Sequence, residues 1–331
     1  MTAKKHPRLG LAFTLLLTAL GVHFGRAQML SPGQSLAPAS GCLFGAYMQP
    51  GTVGHEQAIL NFEHKLGRPL AVDRQYYRWD DDIPTTHEAW TVAQGRVPLI
   101  SWKPKKRDGT WVRWSKIAAG DEQATITARA QAFLNFPGRV LMAFHHEADI
   151  DTVDGNPANF ANAFRKIVET FHGVGVTNVQ WVMILTYHAY RDGLGDSFYP
   201  GDDVIDWIGA DGYNWYLAQP NVPWTEFADI FTPFRNWALP HHKPLVIAEW
   251  GCQEDPDLAG HKATWIDNAT ATTKGWPEVK AVSYFNYSDS VYQWRTDSSP
   301  SALDAFRRMG ADPYFNPATQ NACGQQWSQY R

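Results

Sequence analysis

Apolar and polar positions along this chain fall into two kinds of run, and the two alternate. Short apolar runs bounded by turn-forming residues read as buried strands, and apolar residues spaced three and four apart read as one face of a helix. Strands are predicted at 43–47, 70–77, 97–102, 140–144, 179–185, 206–213, 245–248 and 279–285. Helical spacing runs through 54–66, where Ala58, Ile59, Phe62 and Leu66 share a face and Gly67 is a stop signal. Further helices are predicted at 121–136 with Asp121 as N-cap, and at 156–172, where Asn156 caps and Pro157 takes the first helical position. Three more fall at 224–238, 261–274 and 301–308, the first with Pro233 as a possible break. The stretch 84–93 reads as helix-poor, and 103–115 as a charged loop bearing tryptophan.

Strict alternation of strands and helices argues for parallel strands. Eight strand–helix units in about 285 residues fit a single-domain (β/α)8 TIM barrel, a fold of typically ~250 residues before insertions. An open doubly wound sheet is the rival, but Gly51-Thr52-Val53-Gly54 lacks the third glycine of a nucleotide-binding turn. The barrel is assigned to residues 42–331, behind a Ser/Pro/Gly-rich linker at 28–41.

Two predicted strands run into acids. The run 140–144 ends in His145-His146-Glu147-Ala148-Asp149, and the run 245–248 ends in Glu249-Trp250-Gly251. Barrel folds keep their chemistry at the carboxyl ends of the strands, so Glu147 on strand four and Glu249 on strand seven can share one cleft. Two facing carboxylates suit glycosidic bond cleavage: one donates a proton, the other attacks the anomeric carbon or activates water. His146 can tune Glu147, and the tyrosine of Asp211-Gly212-Tyr213 can reach Glu249 and hold it ionised. His145 alternates with His146 and is expected to point away from the cleft. The tight His-Glu cluster lacks metal-site spacing, and Asp149, Asp151 and Asp154 lack a calcium-loop pattern. No metal or cofactor is expected.

Composition sharpens this picture. The chain has 15 Trp, 13 Tyr and 17 Phe in 331 residues, more indole than a core needs, and the surplus suits stacking on sugar rings. Candidate platforms at or just after strand ends are Trp79, Trp102, Trp215, Tyr216, Trp250, Tyr284 and Trp294, with Arg78, Asp80, Lys103 and Asn214 placed to bond hydroxyls. Net charge is −4; residues 1–27 hold four basic residues and no acid, so the remainder carries −8, which disfavours nucleic acid as a partner. Residues 1–27 read as an export signal, with Lys4, Lys5 and Arg8 before a short apolar run, so the mature chain is expected to be secreted, off the membrane and monomeric. Export permits a disulfide, and Cys42 with Cys323 is the expected pair because a barrel brings its two ends together.

The His146-Glu147 pair and the Ala248-Glu249-Trp250-Gly251 run resemble glycoside hydrolase family 26 over roughly residues 43–309. That resemblance implies a retaining double displacement, with Glu147 as acid/base, Glu249 as nucleophile, Tyr213 bonding the nucleophile and His146 contacting substrate. It implies an endo-acting enzyme on a polysaccharide of β-1,4-mannan type, with β-1,3-1,4-glucan or β-1,3-xylan as alternatives. A barrel that only binds carbohydrate is the non-enzymatic alternative. Ala148-Asp149, Trp250 and Tyr284-Phe285-Asn286 depart from the family's usual residues.

Overall fold

The computed structural model describes residues 35–317. Their strands are β1 (Leu43–Met48), β2 (Val72–Arg78), β3 (Val97–Lys103), β4 (Val140–Phe144), β5 (Val179–Thr186), β6 (Trp207–Asn214), β7 (Leu245–Cys252) and β8 (Val279–Asn286). All pair in parallel, in sequence order, and β8 closes on β1. The expected (β/α)8 barrel is therefore the architecture of the described residues.

The helices between strands are α1 (His55–Leu66), α2 (Thr86–Ala93), α3 (Trp114–Ala119), α4 (Gln123–Leu134), α5 (Pro157–Val174), α6 (Tyr187–Arg191), α7 (Gly195–Phe198), α8 (Phe227–Ala238), α9 (His261–Gly275) and α10 (Pro300–Ala311). Several differ from expectation. The supposedly helix-poor stretch holds α2, started by a capping box in which Thr85 and Glu88 satisfy each other's backbone. Asp121 is not the cap of α4, which begins after Glu122 without a side-chain cap. The Asn156 cap is present: its side chain accepts from Ala158 N at 3.0 Å. Pro233 sits inside α8 without ending it.

Side-chain alternation sorts the buried residues into two layers. One layer fills the barrel lumen: Leu43, Val72, Val97, Leu99, Leu141, Ala143, Val182, Ile184, Trp207, Val246, Ala248 and Ala281. The other lies between strands and helices and includes Phe44, Trp102, Phe144, Trp181, Trp250 and Tyr284. Leu36 belongs to the lumen layer, and its N–H donates to Gln180 Oε1 at 3.1 Å. The end of the expected linker thus plugs the barrel's base, because the lumen leaves apolar surface there to cover.

Beside that plug, Cys42 N donates to the Tyr314 carbonyl at 2.9 Å, joining the two ends of the described chain. Gly41 makes this approach possible, since at φ 79° any side chain would be strained and would collide with that carbonyl. Cys42 is buried, and burial pushes its thiol pKa up. Cys323, the other half of the expected disulfide, lies outside the described residues, as do residues 1–34 with the export signal. Among the described residues no helix is long and apolar enough to cross a membrane.

Candidate active site

The chain leaves β4 through two left-handed residues, His145 at φ 46° and Glu147 at φ 56°. Each such conformation costs about 1–3 kcal/mol for a residue with a side chain and persists only where the surroundings impose it. Here the neighbouring strands impose it: His145 N donates to the Trp102 carbonyl, and Glu147 N to the Ile184 carbonyl, both at 3.0 Å. The His145 ring is buried behind the site, where its Nδ1 accepts from Trp114 Nε1 at 2.9 Å. Burial, assisted by Lys103, lowers the His145 pKa well below the usual range, so the ring is neutral with its proton on Nε2. His146 and Glu147 turn the other way and line a cavity of about 530 Å3 at the barrel mouth.

Glu249 reaches the same cavity through a bulge. In the β6–β7 ladder Ala210 pairs with Ile247 and Asp211 with Glu249, so Ala248 is an extra residue. A bulge re-aims the side chains after it. Ala248 points into the lumen, Glu249 into the mouth, and Trp250 out to the helices. Three donors meet on the Glu249 carboxylate: Tyr76 hydroxyl on Oε1 at 2.7 Å, Arg74 Nη2 on Oε1 at 3.2 Å, and Tyr213 hydroxyl on Oε2 at 2.5 Å. Donors to a carboxylate stabilise its charged form.

The two glutamates thus live in different surroundings. Burial, followed by the charges of Glu249 and Asp149, pushes the Glu147 pKa up to about 8, against the opposing pull of Lys103 and Arg74. Burial works against the Arg74 guanidinium, but Tyr76, Glu249 and Asp211 outweigh it and raise its pKa. Asp211 is buried in the cavity wall with both carboxyl oxygens unpartnered; burial, Glu249 and Glu147 raise its pKa well above the usual range. His146 is held neutral, its pKa lowered well below the usual value by burial and then by Arg74 and Lys103. The cavity therefore brings together an acid whose pKa is raised and a carboxylate held by three donors, an arrangement suited to acid catalysis beside nucleophilic attack.

Ligand atoms of His146, Asp211 and Glu249 lie within 4.8 Å of one another. The Arg74 guanidinium already supplies positive charge to Glu249 there. The acids after β4 are each engaged: Asp149 with Thr186, Asp151 with Lys103, and Asp154 with Ser115 N at 2.6 Å. They brace loops.

Of the residues expected to bind substrate, His146, Asp211, Tyr213, Trp215 and Trp294 line the cavity. The others do not. Trp79 and Trp102 are buried and stacked on each other, with centroids 4.2 Å apart. Trp250 packs on Phe227 and Trp265, and Tyr284 packs on Trp250. These four pack into the layer between strands and helices. Arg78 and Asp80 are exposed and hold the loop after β3, Arg78 through the carbonyls of Lys106 and Arg107, Asp80 through Arg107 N. Asn214 is buried, its Oδ1 accepting from Tyr216 N and Thr225 N. Lys103 pairs with Asp151 beside the cavity.

Sequence reading missed Arg74, Tyr76, Tyr47 and Phe285. Arg74 and Tyr76 lie two apart on β2 and so share a face, and a charged residue in mid-strand was the available signal. Phe285 follows from placing Tyr284 outward.

The sequence and the fold both have relatives among known proteins. It is 31% identical over 295 residues to Endoglucanase H of Acetivibrio thermocellus, an alignment that covers 84% of this chain and 31% of that protein. It is 27% identical over 232 residues to a β-1,3-xylanase of an Alcaligenes species, covering 61% of this chain and 48% of the relative. The chain thus spans less than half the length of either curated relative. The structure superposes on a GH26 β-mannanase from Bacteroides ovatus with TM-score 0.62 and 16% identity, over 83% of this chain and 90% of that one. The barrel thus resembles that of glycoside hydrolase family 26. A modular endo-β-1,4-mannanase from Cellulomonas fimi matches the fold similarly, with TM-score 0.61 and 16% identity over 85% of this chain and 73% of that one. No family model matches the sequence.

Proposed function

We propose that the chain is an endo-acting β-glycosidase that cleaves a polysaccharide by retaining double displacement. One observation carries this reading: Glu147, with its pKa raised to about 8, shares a cavity with a Glu249 carboxylate held by three donors. Glu249 attacks the anomeric carbon while Glu147 passes its proton to the glycosidic oxygen, so the leaving sugar departs as an alcohol and the other stays esterified to Glu249. Esterification removes the Glu249 charge that helped to raise the Glu147 pKa. Glu147, now ionised, is a more stable carboxylate and takes a proton from the water that releases the product. His146, Asp211, Trp215 and Trp294 contact the substrate in this reading, with Tyr213 orienting the nucleophile.

The relatives aligned by sequence are named for a glucanase and for β-1,3-xylanases, and those aligned by fold for mannanases. Sequence likeness carries more weight here, so a β-glucan is the first substrate to test, beside β-1,4-mannan and β-1,3-xylan. In this reading the protein is exported through residues 1–27 and acts as a monomer. Purified protein should release reducing ends from at least one of the three polymers, with the product first formed in the β-configuration. Absence of release from all three, with binding retained, would favour a barrel that only binds carbohydrate. An α-configured first product would overturn double displacement.

A further inference from the structure

Lys262 is fully buried near the start of α9, where its ammonium is stripped of water. Burial lowers its pKa, with Glu254 among the charges that oppose the shift. All three of its donors go to one short segment. Nζ bonds the Trp294 carbonyl at 3.3 Å, the Arg295 carbonyl at 2.7 Å and Ser298 Oγ at 3.0 Å. Ser298 in turn donates to Glu254 Oε1 at 2.6 Å, so a carboxylate offsets the buried charge across one hydroxyl. The Trp294 carbonyl also accepts from the hydroxyl of buried Tyr284, at 2.6 Å. Thr296 N and its hydroxyl donate to Asn286 Oδ1 at 2.8 and 3.1 Å. The segment after β8 is thus held by buried side chains of β8 and α9. An apolar side chain of similar size would fill the Lys262 site without the desolvation cost, so the contribution of the ammonium lies in what it fixes.

What it fixes leads to the cavity. Trp294 forms part of the cavity wall, stacks on Tyr213 and Tyr292 with centroids 5.1 and 5.8 Å apart, and meets Trp215 edge-on at 5.7 Å. It lies in the loop after β8 rather than on the strand, so its place depends on what holds its backbone. We propose that Lys262 and Tyr284 are positioning residues for the cavity: neither lines it, and both act through the Trp294 carbonyl to set where that ring stands against a bound sugar. The inference rests on the glycosidase reading above.

The test is kinetic, on the gluco-, manno- or xylo-tetrasaccharide that the parent cleaves. Lys262→Met keeps the length of the side chain and removes its donors, and Tyr284→Phe removes one hydroxyl. Each should raise KM about threefold or more. In a Trp294→Ala background, where there is no ring to place, neither should change KM further. KM reports only the folded, active fraction, so a residue that merely supports the fold would lower the melting temperature and leave KM unmoved. Should Lys262→Met fail to fold, Tyr284→Phe, which acts on the same carbonyl, decides by the same two comparisons. An unmoved KM in either folded variant, or a rise as large in the Trp294→Ala background as in the parent, would overturn the positioning role. A parent that cleaves none of the three tetrasaccharides would overturn the glycosidase reading and the inference with it. An active parent with variants of unmoved KM would leave that reading standing and remove only the positioning role.

Discussion

Tyr76 reaches Glu249 from the far side of the barrel mouth, its hydroxyl donating to Oε1 at 2.7 Å. Tyr213 holds the other oxygen at 2.5 Å, so phenols on both oxygens fix the carboxylate's rotation. A hydrogen bond to a charged group contributes about 1.5–3 kcal/mol. We expect Tyr76→Phe and Tyr213→Phe each to lower kcat by roughly 10- to 100-fold, because attack needs an oriented carboxylate. Steady-state kinetics on the preferred polysaccharide decide this. A kcat within twofold of the parent would show that orientation comes from elsewhere.

Glu147 should set the alkaline limb of the pH profile. Its pKa near 8 means that the proton needed by the leaving group is present below that pH and lost above it. kcat/KM should then fall about tenfold per pH unit above ~8. Glu147→Gln should abolish polysaccharide hydrolysis. The same shift bears on stability. Glutamate ionises near 4.5 when unfolded, so the folded state's preference for the proton contributes fully below that pH and is lost as pH rises through about 8. Glu147→Gln, which is always neutral, should melt higher than the parent at pH 9 and alongside it at pH 4. Equal melting temperatures at both pH values would contradict burial of the acid.

Asp149 acts on Glu147 by charge as well as by position. Its negative charge is one of the causes that raise the Glu147 pKa. Asp149→Ala should therefore move the alkaline limb to lower pH. It should also destabilise the fold by about 1–3 kcal/mol, since Thr186 N and the Thr186 hydroxyl lose their acceptor. A structural role alone would lower the melting temperature and leave the limb in place.

Trp250 and Trp294 separate packing from binding. Both are buried, but Trp250 packs on Phe227 and Trp265, while Trp294 also forms part of the cavity wall and stacks on Tyr213 with centroids 5.1 Å apart. Trp250→Ala should cost about 3–5 kcal/mol of stability. KM of the protein that stays folded should change little. Trp294→Ala should raise KM about tenfold. Thermal melts and kinetics on both variants check this, and a Trp250→Ala variant that melts like the parent but has lost substrate affinity would reverse the assignment.

Much of the fold was legible because a barrel strand is an apolar run, and every predicted strand forms. The acid positions were legible for the same reason: Glu147 and Glu249 each follow such a run. What alternation alone could not give was facing. Read as an unbroken strand, 245–252 would not turn both Ala248 and Glu249 inward; only pairing with Asp211 on β6 reveals the extra residue. Trp250 and Tyr284 were expected at the mouth because they stand at strand ends, but each adjoins a cavity-lining residue, Glu249 or Phe285, and so faces away from the cavity. Arg74 and Tyr76 were missed because their significance lies in a partner on β7, and such a partner is set by barrel closure. Helix α2 depends on a capping box, a local signal that the polar character of 84–93 obscured.

The plug formed by Leu36 and the bond between Cys42 N and the Tyr314 carbonyl place both ends of the described chain at the barrel's base. The cavity opens at the opposite pole. Whatever is joined to either end, whether a tether, a fusion partner or an immobilising surface, therefore pulls on the closed side and presents the mouth outward. A support coupled through either end should leave access for a long polymer, whereas coupling through Lys103, beside the cavity, should block it.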